Sequence, residues 1–320
     1  MSGPFNGVRV LELTSTVSGP FAGMMLADQG AEVIKIEPPG IGDLARFMGT
    51  IKDGMGAMFS TLNRNKKCIC LDFKNEEDLS VLMQLVSTAD VLIENYRPGI
   101  VKKLGIDYET LKEIKPDLIY CSISGYGQTG PYKEKKVYDP LIQGTVGIPH
   151  AQNTEFPELI RTIIYDKVTG LTCAQAISAA LYQKANGEGG QYLPISMLES
   201  ALYYNWPDLM MNYTFEEGGI NLGELADLFE VYETKDGGVV LIIIANDEIF
   251  NKFCKVFELK LHLDEKYNNL VSRIKNKKEL TEEINKVTRN LLSNELENRM
   301  DIEGISASVC NELKDVLTYI

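Results

Sequence analysis

The stretch from Val8 to Glu37, VRVLELTSTVSGPFAGMMLADQGAEVIKIE, decides the fold. VRVLELT (Val8–Thr14) has the apolar run of a buried strand, SGPFAGMMLADQG (Ser18–Gly30) reads as a helix, and AEVIKIE (Ala31–Glu37) reads as a second strand. Pro20 falls in the first helical turn, where a missing N–H is tolerated, and Gly30 falls where a helix ends in a left-handed residue. The stretch is therefore a βαβ unit.

The alternation continues outward. KKCICLDFK supplies a third strand, NEEDLSVLMQLVSTA a helix, DVLIENY a fourth strand, and LIYCSISGYG a fifth after the short helix YETLKEIKP. Strands alternating with helices predict an α/β fold with a largely parallel sheet covered on both faces. Beyond Gly125 a mixed stretch containing the basic EKK precedes a long helix over about Asp166–Asn186, and QYLPISM returns as a strand. From Phe229 the texture changes. FEVYET and GGVVLIIIA, joined by KDGG, predict a hairpin that opens a Lys-, Glu- and Asn-rich α+β domain. The expected division is 1–205 for the large domain, 206–228 for a linker and 229–320 for the small domain.

Composition narrows the function. Hydrophobic residues at 44% and charged residues at 24% are ordinary for a globular protein, and 320 residues suit two domains. The longest apolar run, Val239–Ala245, is strand-sized, and MSGPFNGVRV lacks the basic and apolar regions of a signal peptide, so a cytoplasmic protein without membrane spans is expected. A net charge of −13 disfavours nucleic acid and anionic lipid, so any anionic ligand must be caught by a local basic patch. Arg46, Arg64, Lys66 and Lys67 are the candidates. Six cysteines without a CxxC pair, mostly in apolar segments, read as buried free thiols rather than disulfides or a metal site. Two histidines, His150 and His262, leave little room for histidine catalysis, which points to carboxylate, hydroxyl or backbone chemistry.

Four local signals stand at strand or helix ends. Thr14–Pro20 joins strand to helix, where free N–H groups can hold an anion or simply make a capped turn. Asn95, Arg97 and Pro98-Gly99 follow the fourth strand at the carboxyl edge, the ligand-binding edge of open α/β sheets, and are equally good turn chemistry. Gly125, Gly127 and Gly130 allow close backbone approach to a ligand, or make a flexible loop. Asp166 starts an otherwise apolar helix, as a functional carboxylate or a plain N-cap, and Tyr138-Asp139 is similarly open.

In order, GVRVLELTSTVSGPFAGMMLADQGAEVIKIEPPGIGD, NRNKKCICLDFKN, VLIENYRPGIVKKLGIDYETLKEIKPDLIYCSISGYGQTGPY and YDKVTGLTCAQAISAALYQKANGEGGQYLPISMLES resemble the family III CoA-transferases. That group includes formyl-CoA transferase, carnitine CoA-transferase and 2-methylacyl-CoA racemases. The resemblance implies a Rossmann-like large domain, a smaller α+β domain and an interlocked homodimer. It implies CoA transfer from an acyl-CoA donor to a carboxylic acid acceptor, with CoA thioesters as substrates and no tightly bound cofactor or metal.

By the same resemblance Asp166 is the nucleophile, forming an acyl-aspartyl anhydride, and Tyr138 and Asp139 orient substrate or tune it. The implied CoA contacts are Val17, Ser18, Ile36, Glu37, Pro38, Asn63, Lys67, Asn95, Tyr96, Arg97 and Lys103. Tyr138 stands where racemases of the family carry a histidine, which favours transfer over the alternative of 2-methylacyl-CoA racemisation or epimerisation. Val17 stands in place of a glutamine of formyl-CoA transferase, which implies substrates other than formate and oxalate. Relatives continue past the small domain with a segment returning to the large one, so a CoA-binding subunit without activity is the non-enzyme alternative.

Overall fold

The computed structural model describes residues 3–153, 155–221 and 223–319. Leu222 of the expected linker and the terminal Ile320 lie outside the described residues. The chain forms two compact units, 1–206 and 207–320.

In the first unit, β1 (Arg9–Leu13), α1 (Ser18–Asp28) and β2 (Glu32–Glu37) form the expected βαβ unit. Gly30 closes it at φ 98°, a conformation that glycine enters at no steric cost. β3 (Lys67–Cys70), α2 (Glu76–Val86), β4 (Val91–Glu94) and β5 (Ile119–Ser124) follow. Then come α3 (Asp139–Thr145), α4 (Tyr165–Ala185) and β6 (Gln191–Ser196). Among the described residues these six strands make one parallel sheet in the order β3-β2-β1-β4-β5-β6. This is a Rossmann-like arrangement, with its switch point between β1 and β4.

The unbroken apolar runs have a direct cause, because alternate residues of each strand enter different cores. Val10, Val91, Ile93 and Cys121 pack with α1 and α4. Leu11, Leu13, Leu92 and Tyr120 pack with α2. Gly170 lets α4 approach α1 closely, since a Cβ there would lie 2.8 Å from the Ser18 carbonyl oxygen. That approach brings the start of α4 to the start of α1.

In the second unit β7 (Glu230–Glu233) and β8 (Gly238–Leu241) are antiparallel, confirming the hairpin. α5 (Asp247–Val256), α6 (Lys277–Thr288), α7 (Ser293–Ile302) and β9 (Ala307–Val309) complete it, with β9 pairing to β8. Phe250, Phe253, Leu280, Ile284, Leu296 and Met300 form its own core. Between the large sheet and β7, the expected linker contains short 3-10 turns at Met211–Tyr213 and Leu225–Leu228.

Two expectations need correction. The second hairpin strand ends at Leu241, three residues into the VVLIIIA run, and Ile243 and Ile244 enter the core from irregular backbone. The cysteines are not uniformly buried: all six are free thiols, but Cys68, Cys70 and Cys310 are exposed, and only Cys121, Cys173 and Cys254 are buried. β3 is the edge strand, which explains the exposure of Cys68 and Cys70. Among the described residues no helix is long and apolar enough to cross a membrane.

Candidate active site

A cavity of about 320 Å³ opens at the carboxyl edge of the sheet, at the switch point. One wall is the β1–α1 turn, Ser15–Ser18, and another is Asn95–Pro98 after β4. Ile123 and Ser124 at the end of β5, Gly125 just after it, the segment Lys133–Tyr138, Asp166 and Met197 complete it. Residues from all four local signals in the sequence therefore meet in one place.

Asp166 lies in the first turn of α4, but Asp139 caps that helix. Asp139 Oδ2 accepts from the backbone N–H of Tyr165 at 2.5 Å and of Asp166 at 3.1 Å. Gln143 in turn donates to Asp139 Oδ1 at 2.6 Å. Asp139 is buried and spent on positioning, which leaves the Asp166 carboxylate available. Burial pushes the Asp166 carboxyl up to about 6; the Ser18 hydroxyl and N–H beside it pull it down, while nearby Asp139 pushes it up. The starts of α1 and α4 thus converge on a single carboxylate.

The remaining expected positions divide clearly. Val17, Ser18, Asn95, Tyr96, Arg97, Tyr138 and Asp166 line the cavity. Ile36, Glu37, Pro38, Asn63, Lys67 and Lys103 are absent from its wall. Ile36 is buried in β2, and Glu37 pairs with Arg46 and accepts from Asp43 N–H at 2.8 Å. Asn63 holds Lys66 at 2.9 Å, and Lys67 pairs with Glu32 at 2.6 Å. Pro38 lies just past the end of β2 and is exposed, and Lys103 ends the short helix Ile100–Lys103. Asn95 serves the protein itself, because its amide takes Ser15 N–H at 3.1 Å and gives to Ser15 O at 2.9 Å, tying the β1 and β4 ends together.

The proposed basic patch also moves. Arg46 is paired with Glu37 and stacked on Phe59, Arg64 is paired with Asp28, Lys66 is buried against Glu12, and Lys67 is paired with Glu32. The cations at the cavity are instead Arg97, Lys133, Lys135 and Lys136, none of which forms an ion pair among the described residues. Lys135 lies over the rings of Tyr126 and Tyr132. Gly125 permits this segment to come in, since a Cβ there would strike Val137 at 2.4 Å. The glycine's close approach is to its own chain, where the sequence suggested a ligand.

The model of CoA-transferase family III matches residues 5–319. The chain belongs to the family III CoA-transferases. It is similar to human succinyl-CoA:glutarate CoA-transferase, 33% identical over 98% of this chain and 73% of that protein. It is also similar to acetyl-CoA:oxalate CoA-transferase of Acetobacter aceti, 37% identical over 79% of this chain and 67% of that one. A solved CaiB/BaiF family protein from Brucella suis superposes with a TM-score of 0.89 and 32% identity, covering 99% of this chain and 86% of that one.

The cavity brings together the half-buried Asp166 carboxylate, the hydroxyl and N–H of Ser18, and the cations Arg97, Lys133, Lys135 and Lys136 with Glu134 among them. No histidine lines it among the described residues. Nor is there among them a group of three His, Cys, Asp or Glu side chains that could hold a metal ion. Two groups, Ser124 on the wall and Glu94 behind it, escaped sequence reading. Ser124 has a buried hydroxyl without a hydrogen-bond partner. Glu94, at the end of β4, is pushed up to about 7 by burial, opposed by hydrogen bonds from Ser122 and the Tyr96 N–H.

Proposed function

We propose that this transferase works by covalent catalysis at Asp166. An Asp166 oxygen attacks the carbonyl carbon of the donor thioester; a C–O bond forms, the C–S bond breaks, and CoA leaves as thiolate beside an acyl-aspartyl anhydride. The thiolate attacks the Asp166 carbonyl carbon, releasing the donor acid and leaving an aspartyl-CoA thioester. The acceptor carboxylate displaces the thiolate, and the thiolate then takes the acceptor's acyl group and returns Asp166 as carboxylate. Each hard step is divided into easier ones.

The observation that carries this reading is the placement of Asp166, a half-buried carboxylate on the cavity wall with Ser18 donors beside it. Those donors can stabilise the oxyanion that develops on attack. Arg97, Lys133, Lys135 and Lys136 suit the phosphates of CoA, with Tyr138 at the mouth and Asp139 as the helix cap. Short dicarboxylic acids are the proposed donor and acceptor class, by likeness to relatives named for succinate and glutarate that match 98% of this chain. The test is mass spectrometry of protein incubated with succinyl-CoA and hydroxylamine. A modification at Asp166 is expected, and its absence across a panel of thioesters refutes the mechanism.

The same proposal includes a cytoplasmic homodimer. Free thiols at all six cysteines fit a reducing compartment, and Tyr182 and Tyr203, 74% and 84% exposed, fit surfaces covered by a second copy. Light scattering at micromolar concentration tests the assembly; a monomer refutes it.

A further inference from the structure

Four charged side chains of the large unit take no part in the chemistry and are sealed from water. Lys35 Nζ lies 3.0 Å from Glu12 Oε1 and 2.9 Å from Asp43 Oδ2, and Lys66 Nζ lies 2.7 Å from Glu12 Oε2. The contacts to Glu12 Oε2 and Asp43 Oδ2 are ion pairs without hydrogen-bond alignment. Burial pulls Glu12 up, but Lys66 and Lys35 hold it below the ordinary carboxylate range; burial lowers Lys66 despite Glu12. The cluster is electroneutral, two charges of each sign. Burying it costs several kcal/mol per ion before pairing, and an apolar core would often be as stable, so stability alone does not account for it.

Hydrogen bonds from the cluster also reach the backbone from the end of β1 to the first turn of α1. Lys35 donates to Thr14 O at 2.8 Å, Lys66 donates to Pro20 O at 2.8 Å, and Asp43 Oδ1 accepts from Thr16 N–H at 2.9 Å. Thr16 is held at φ 71°, a conformation that a β-branched residue reaches only under constraint. Gly23 makes room, since a Cβ there would lie 1.9 Å from Glu12 Oε2. Both ends and the strained middle of the turn are thus gripped, and that turn carries Ser18.

We propose that Glu12, Lys35, Asp43 and Lys66 are positioning residues, a buried charge clamp that holds the Thr14–Pro20 turn so that Ser18 stays beside Asp166 on the cavity wall. Release of Thr16 lets the turn relax out of its left-handed conformation and withdraws the Ser18 donors. Asp166 then faces burial and the Asp139 charge without compensation, and its titration moves upward. This inference rests on Asp166 being the nucleophile for its catalytic meaning, but its structural effect can be read without catalysis.

The experiment titrates Asp166 by carbon NMR in protein labelled at the aspartate carboxyl, assigned with Asp166→Asn. Asp43→Ala and Ser18→Ala should each raise the midpoint by about one pH unit. Asp43→Asn, which keeps an acceptor for Thr16, should stay close to wild type. The double variant Lys35→Met with Asp43→Leu removes one ion pair whole, so it covers the case in which Asp43→Ala does not fold. It too should raise the midpoint, and a one-unit rise from about 6 should cut kcat about fivefold at pH 6 while KM changes little. An unchanged midpoint in a folded Asp43→Ala or double variant overturns the clamp. Absence of a wild-type Asp166 adduct overturns the nucleophile reading and leaves the titration result standing.

Discussion

Replacing Gly170 with alanine tests whether the contact between α1 and α4 sets the site. In an open helix the change gains about 1 kcal/mol, because glycine has more backbone entropy to lose. At Gly170 the added Cβ would meet Ser18 O at 2.8 Å and the Phe21 side chain at 3.0 and 3.1 Å, well inside contact distance, with backbone as the obstacle. Overpacking of this kind costs about 1–3 kcal/mol, so it offsets or exceeds the helix gain and leaves a net loss of about 0–2 kcal/mol. For a protein of this size that is a Tm fall of a few degrees at most.

The effect on turnover should be far larger. Relief of the clash parts the two helix starts by a fraction of an ångström to about 1 Å, and misplacement of that size costs up to about 100-fold in rate. The assay is CoA transfer between succinyl-CoA and glutarate, run beside thermal unfolding. Gly144→Ala, on a helix with open space at the Cβ position, serves as control and should hold or raise Tm. If Gly170→Ala behaves like that control, stabilised and fully active, the reasoning about close approach is refuted.

Asp139→Ala should cost about 1–2 kcal/mol by unsatisfying the Tyr165 and Asp166 N–H groups, while Asp139→Asn should retain much of the cap; urea unfolding at pH 7 compares them. Glu94 has its folded value raised to about 7 from an ordinary 4.5, so the unfolded chain releases this proton first and stability falls as pH rises through that window, by about 3 kcal/mol from this group. Glu94→Gln imitates the protonated acid and should stabilise the protein at pH 8 but not at pH 4.5, and equal effects at both would refute the assignment. Lys135→Glu with Lys136→Glu should raise the KM for acyl-CoA several-fold and flatten its dependence on salt, whereas Lys67→Glu, away from the cavity wall, should not; steady-state kinetics at 20 and 200 mM salt check this.

Much of the fold was legible because it is written in short windows. The apolar runs at Val8–Thr14 and Asp90–Glu94, the punctuation at Pro20 and Gly30, and the KDGG turn each act over a few residues, and the strands and helices follow them. Parallel strand direction, though not strand order, followed from the alternation of elements, since a crossover helix returns the chain to the same edge of the sheet. Asp166, Ser18, Asn95, Arg97 and Tyr138 were also legible, because strand and helix ends in such a sheet collect on one side.

What a side chain does there depended on partners far away in the chain. Asp166 and Asp139 each read as an acid near a helix start, yet Asp139 became the cap and Asp166 the open carboxylate, a division made across 27 residues. Lys66 and Lys67 are neighbours with the same charge. One turns inward to Glu12 and Pro20 and is sealed, while the other turns outward to Glu32. The basic rim came from Lys133–Lys136 instead, brought in by Gly125. Sequence by itself determined the elements, because propensity and apolar period are local; tertiary structure alone decided which charges are buried, paired or presented, because desolvation and Coulomb energy depend on distance in space rather than along the chain.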